Sequence, residues 1–99
     1  MKPTKRYIKV ELPEHDLKRG EIDGSLKRAI FELGGYALIS KIQFRLIEIK
    51  GKYAIIRFKL FDVDPSLIFL IVPLAKVRNS WLIPLACSGA LSNIKLKDE

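Results

Sequence analysis

The chain has 99 residues, 48% of them hydrophobic and 29% charged, which allows one domain (residues 1–99) around one modest core and excludes a disordered polypeptide. Lys and Arg number 18 against 11 acids, a formal net charge of +7, and so large an excess on so small a domain favours a polyanionic partner. The lone cysteine, Cys87, excludes an internal disulfide and points to a reducing, cytoplasmic setting, while no secretory segment opens the chain and no run approaches the ~20 apolar residues of a membrane span.

Residues 5–12 alternate. Ile8, Val10 and Leu12 fall on one side and Tyr7, Lys9 and Glu11 on the other, the pattern of a half-buried strand ended by Pro13. After a polar loop, Asp23 or Ser25 is placed to cap a helix, with Ile22 as a hydrophobic staple. Leu26, Ala29, Ile30 and Leu33 then form one apolar stripe, and Gly34-Gly35 stops the helix.

Residues 41–60 read as two strands around a tight turn at Lys50-Gly51. A three-residue loop ending at Gly51 puts glycine at the left-handed position and pairs Ile42, Phe44 and Leu46 with Ala54, Ile56 and Phe58 on a core face. The opposite face then collects Gln43, Arg45, Ile47, Tyr53, Ile55, Arg57 and Lys59. A two-residue loop is expected to shift the register and scatter arginines into the core. Cations beside exposed aromatics on an open sheet suit single-stranded or looped RNA.

Asp64-Pro65 is a helix start, with Asp as cap and Pro at the first helical position. The helix over residues 66–72 is apolar on every side, and Pro73 ends or kinks it. Residues 76–80 form a basic, polar turn. Residues 80–87 read as a last strand, which Pro84 confines to a sheet edge. The tail carries Lys95 and Lys97.

The order strand, helix, strand, strand, helix, strand predicts an α+β sandwich with a ferredoxin-like, RRM-like βαββαβ topology and a four-stranded antiparallel sheet. The first and third strands are central there, and both helices cover one face. Residues 50–58 follow the third-strand signature of RNA-recognition motifs with Lys52 inserted and Ile55 where a second stacking aromatic is expected. His15 stands alone between two acids, Cys87 has no histidine near it in sequence, and no phosphate-binding glycine loop or metal-ligand spacing is present. No catalytic residue, metal or cofactor is therefore expected.

These landmarks resemble ribonuclease P protein component 2, an archaeal and eukaryotic subunit family of the enzyme that removes the 5′ leader from precursor tRNA. The likeness lies in Lys5-Arg6-Tyr7-Ile8, Arg45-Leu46-Ile47-Glu48, Ile55-Ile56-Arg57 and Leu85-Ala86-Cys87-Ser88-Gly89, in that order and spacing. The resemblance implies a ferredoxin-like fold and a supporting role beside a catalytic RNA. It also implies pairing with ribonuclease P protein component 3, a TIM-barrel-like subunit, and self-association. On this reading the candidate RNA-binding residues are Lys5, Arg6, Tyr7, Lys9, Arg45, Tyr53, Arg57 and Lys59, joined by Lys95 and Lys97 of the tail. The candidate protein interface is Leu67, Ile68, Phe69, Leu70 and Ile71 on the second helix. Two other functions fit the same pattern: a stand-alone single-stranded RNA-binding domain, and a dimeric ferredoxin-like regulatory domain.

Overall fold

The computed structural model describes residues 2–14 and 16–91; His15, Lys95 and Lys97 lie outside them. It is an α+β fold in which β1 (Thr4–Glu11), β2 (Ile42–Lys50), β3 (Tyr53–Leu60) and β6 (Ile83–Ser88) form one antiparallel sheet in the order β2-β3-β1-β6. The first and third strands are central, as the pattern requires. Helices α1 (Arg19–Ile39) and α2 (Ile68–Leu74) supply Ile22, Leu26, Ile30, Ile68 and Ile71 to the same core as Ile8, Val10, Leu46, Ile56 and Phe58. One sheet face is therefore covered by helices and the other faces away from them.

Helix α1 departs from its expected bounds. It begins at Arg19, with Lys18 as an N-cap that makes no side-chain capping bond, so Asp23 and Ser25 lie inside it. Ser25 Oγ instead donates to the Ile22 carbonyl at 2.8 Å. Leu33, expected on the apolar stripe, is exposed. Gly35 does break the helix, with φ 64 and ψ −154, but one more turn follows before Ser40. That backbone region is open essentially to glycine alone. Gly35→Ala is expected to cost about 1–3 kcal/mol of stability by thermal or denaturant unfolding, from backbone strain alone, since its Cβ would meet nothing within 4 Å. Gly24→Ala, with equally open space in a regular stretch of the helix, is expected to stabilise by roughly 0.5–1 kcal/mol.

The hairpin corrects the expected loop. Lys50 pairs with Tyr53, so the loop is two residues, Gly51-Lys52, with Gly51 at φ 61. The arginines nevertheless stay off the core, because the register steps between Leu46 and Glu48 and leaves Ile47 as a bulge. Beyond the bulge the expected core face holds but the pairs move by two residues: Leu46 stands opposite Ile56, Phe44 opposite Phe58 and Ile42 opposite Leu60, while Ala54 pairs with Ile49. Arg19 donates from Nη1 to the Leu46 carbonyl at 2.6 Å, which satisfies backbone beside the disrupted ladder and ties α1 to β2.

A single 3-10 turn, Pro65–Leu67, precedes α2, and Asp64 caps it by accepting from the Ser66 amide at 2.9 Å. That bond holds the Asp64 carboxyl below its ordinary value. Pro73 sits within the last turn of α2 and does not end it.

The expected single strand over residues 80–87 is two elements. Lys76–Val77 (β4) and Ser80–Trp81 (β5) make a small ribbon, and only Ile83–Ser88 joins the main sheet. The ribbon turns at Arg78 (φ 48) and Asn79 (φ 68), both left-handed, as the two central residues of a type I′ turn must be. The Arg78 guanidinium reaches Glu21 through Nε and Nη2 at 2.9 and 2.8 Å, and its Nη1 reaches Glu14 at 2.7 Å and Asp16 at 2.9 Å. Glu21 in the first turn of α1, with Glu14 and Asp16 in the loop before it, pushes the Arg78 pKa further up and holds the guanidinium charged.

Candidate nucleic-acid interface

Antiparallel register sets the open face residue by residue, because side chains two apart on one strand share a face with their cross-strand partners. One row runs Gln43, Lys59, Lys5. The next runs Arg45, Arg57, Tyr7, Ser88. Ile55, Lys9 and Ala86 follow, and the last row is Lys50, Tyr53, Glu11, Ile83. Because of the bulge, Glu48 stands opposite Ile55 and so also joins this face.

The charges on these rows are not evenly spread. Lys5, Lys59, Arg57 and Arg45 occupy the first two rows, where no acid stands. Arg45 and Lys5 are exposed, Arg57 and Lys59 half-buried, and none of the four side chains has an ion pair or hydrogen bond with another described residue. At the turn end, Lys9 and Lys50 are matched by Glu11 and Glu48. There the Lys9 ammonium lies 4.9 Å from the Tyr53 ring centroid, a cation–π contact that occupies one face of that aromatic. The attraction for an anion is therefore concentrated at one end of the sheet, around the Arg45–Arg57 pair. Like charges placed directly opposite each other destabilise a sheet unless something neutralises them.

The middle of the face is apolar. Ile55 is fully buried although it points away from the helices, and Tyr7, Ile47 and Leu91 pack against it. Tyr7 is consequently half-buried and offers less ring than an uncovered position would.

Other cations point elsewhere. Arg6 pairs with Phe58 on the helix-covered side, and its Nη1 donates to the Lys5 carbonyl at 2.8 Å. Arg19 is engaged with Leu46, and Lys27 and Arg28 are exposed on α1, whose packed side covers the opposite sheet face. Lys95 and Lys97 lie outside the described residues. Burial pushes the Cys87 thiol up from its ordinary value, with the charge of Arg6 working the other way, so the thiol is poorly suited to nucleophilic work. Among the described residues no group of three or more His, Cys, Asp or Glu side chains could hold a metal ion, and no helix is long and apolar enough to cross a membrane.

The expected α2 interface divides. Ile68 and Ile71 are fully buried in the core and cannot meet a partner, a correction that follows from their side of the helix facing the sheet. Leu67 is half-buried. Phe69 and Leu70 are 49% and 57% exposed, and Leu74 at the helix end is 45% exposed. Ile83 is 51% exposed but stands on the open face, whereas Trp81 on the ribbon and Leu85 on the edge strand, 50 and 47% exposed, belong to elements that adjoin α2. Trp81 and Leu85 extend the apolar surface beyond the helix. Pro84 and the register step that leaves Leu85 unpaired make β6 a poor template for a further strand.

Sequence reasoning missed Glu48, Lys50 and Leu91 on the open face. The first two depend on a bulge that no turn residue announces, and Leu91 is brought there by a chain reversal after β6. No family model matches the chain, and no curated protein matches it.

Proposed function

We propose that this protein binds RNA through the basic end of its open sheet face, as a non-catalytic subunit of ribonuclease P that supports the RNA in removing the 5′ leader from precursor tRNA. The observation that carries RNA binding is the block of Lys5, Lys59, Arg57 and Arg45, four cations with no acid among them on one uncovered surface. The sequence likeness to ribonuclease P protein component 2 directs the choice of RNA. On this reading the fold is the ferredoxin-like type, the protein works in the cytoplasm, and its partners are ribonuclease P RNA and protein component 3. The chemistry belongs to the RNA.

The deciding experiment is reconstitution. The protein is added to ribonuclease P RNA with and without component 3, and cleavage of precursor tRNA is followed. Stimulated cleavage is the expected result. Tight binding to short unstructured RNA with no effect on cleavage would select a stand-alone RNA-binding domain instead, and ligand-induced stabilisation without RNA binding would select a regulatory domain.

Binding is expected to be strongly salt-dependent. Four phosphate contacts to a single strand give a log–log slope of about −3, or a loss of about 50-fold between 50 and 200 mM salt. A flat response across that range would rule out the electrostatic interface.

A further inference from the structure

Ile55 is fully buried on the side of the sheet away from the helices, under Tyr7, Ile47 and Leu91. After β6 the chain turns back: the Ala90 amide donates to Ser88 Oγ at 3.1 Å, and Ser88 stands opposite Tyr7. That reversal lays Leu91 against Ile55, which Tyr7 and Ile47 also pack against, while Gly89 and Ala90 remain exposed. In the adjoining row stand Arg45 and Arg57, opposite each other and without a carboxylate partner among the described residues. Arg57 also faces Tyr7 directly across the sheet. Ile55 and Arg57 are two residues apart on one strand, a separation of ~6.8 Å. That matches the spacing between a phosphate and the base attached to it.

We infer that this spot is a subsite for one unpaired nucleotide of an RNA chain. Its phosphate lies between Arg45 and Arg57, and its base takes the place against Ile55 that Leu91 fills. RNA and Leu91 then compete for one position, and the turn at Ser88 acts as the hinge of a plug. The inference rests on the RNA-binding reading above. It adds that the ligand is single-stranded, because a paired base cannot offer its face, and that the free protein holds its own site closed. Two guanidinium groups suit a phosphate better than two ammonium groups, since each presents a planar fork of donors.

The test uses the full chain and three probes: an unstructured single-stranded RNA of about ten nucleotides, the same sequence as a duplex, and AMP. Wild type, Leu91→Ala and Leu91→Met are compared, with Leu91 methyl resonances followed in the wild type. The single strand is expected to bind at least about tenfold tighter than the duplex. Leu91→Ala is expected to bind it about fivefold to tenfold tighter than wild type, and Leu91→Met to restore the wild-type value. The wild-type Leu91 methyl resonances should move to solvent-exposed values when the single strand saturates the protein. Unchanged or weakened binding by Leu91→Ala at an unaltered melting temperature would overturn the plug and leave RNA binding standing. So would Leu91 methyls that stay in place at saturation. AMP that displaces Leu91 as well as the RNA does would reassign the site to a free nucleotide. Failure of every variant to bind single strand, duplex or ribonuclease P RNA would instead remove the RNA-binding reading itself.

Discussion

Arg45→Glu with Arg57→Glu is expected to lower RNA affinity by on the order of 100-fold or more at low salt, since two charge-assisted contacts are lost and two repulsive ones created. Both side chains leave the open face, and neither has a partner to lose within the described residues. The double variant should therefore keep its circular dichroism spectrum and melting temperature, as substitutions away from core, caps and networks usually do. Lys9→Glu is the internal control. Lys9 belongs to the balanced end of the sheet, with Glu48 in its own row and Glu11 in the next, so its reversal should cost only a few-fold. Equal losses from the two variants would mean that charge acts over the whole face. Wild-type affinity in the double variant would mean that RNA binds elsewhere or not at all. Unfolding of the double variant would mean that the pair is part of the scaffold.

The wild-type protein is expected to self-associate and to join component 3, and Phe69→Lys with Leu70→Lys is expected to give a folded monomer that does neither. A fully buried large side chain contributes roughly 1.5–3 kcal/mol, so several half-exposed ones closing together supply enough to hold a pair at micromolar concentration. Phe69, Leu70 and Leu74 from α2, with Trp81 and Leu85 on the adjoining elements, provide that surface. The edge of β6 does not extend into a neighbouring sheet on this account, because Pro84 lacks an amide donor and Leu85 is displaced by the register step. Association is thus through side chains and should stop at a defined size. Sedimentation or light scattering across concentration, with and without component 3, measures it. A wild-type chain that stays monomeric at high concentration and is indifferent to component 3 would show that this apolar surface has no partner of either kind.

The two expected effects occupy separate parts of the molecule. The basic block lies on β1, β2 and β3 at one end of the open face, and the apolar surface lies on α2, the ribbon and β6. The first pair of substitutions should therefore spare association with protein, and the second should spare the intrinsic affinity for RNA, because distant sites without shared partners behave independently.

What the sequence alone determined is what depends on local pattern. Alternation in β1 separated Ile8 and Val10 from Tyr7 and Lys9, because side chains on a strand change face at every residue. By the same parity Arg6, expected among the RNA-binding residues, falls on the covered side with Ile8. The Asp64-Pro65 start, the break at Gly35 and the edge position of Pro84 were equally readable, since capping, left-handed backbone and a missing amide are properties of single residues. What only the tertiary structure decided is what depends on residues far apart in the chain. The bulge at Ile47 reconciles a two-residue loop with a packed core, and Arg19 serves the carbonyl beside it. That one extra residue carries Glu48 and Lys50 onto the open face and so divides its charge into a positive end and a balanced end. The ribbon of β4 and β5 turns at a left-handed Arg78 that Glu14, Asp16 and Glu21 hold from the other side of the sequence. Leu91 covers Ile55 for the same reason: a contact between distant segments is chosen by the free energy of the whole packed chain, and no local periodicity records it.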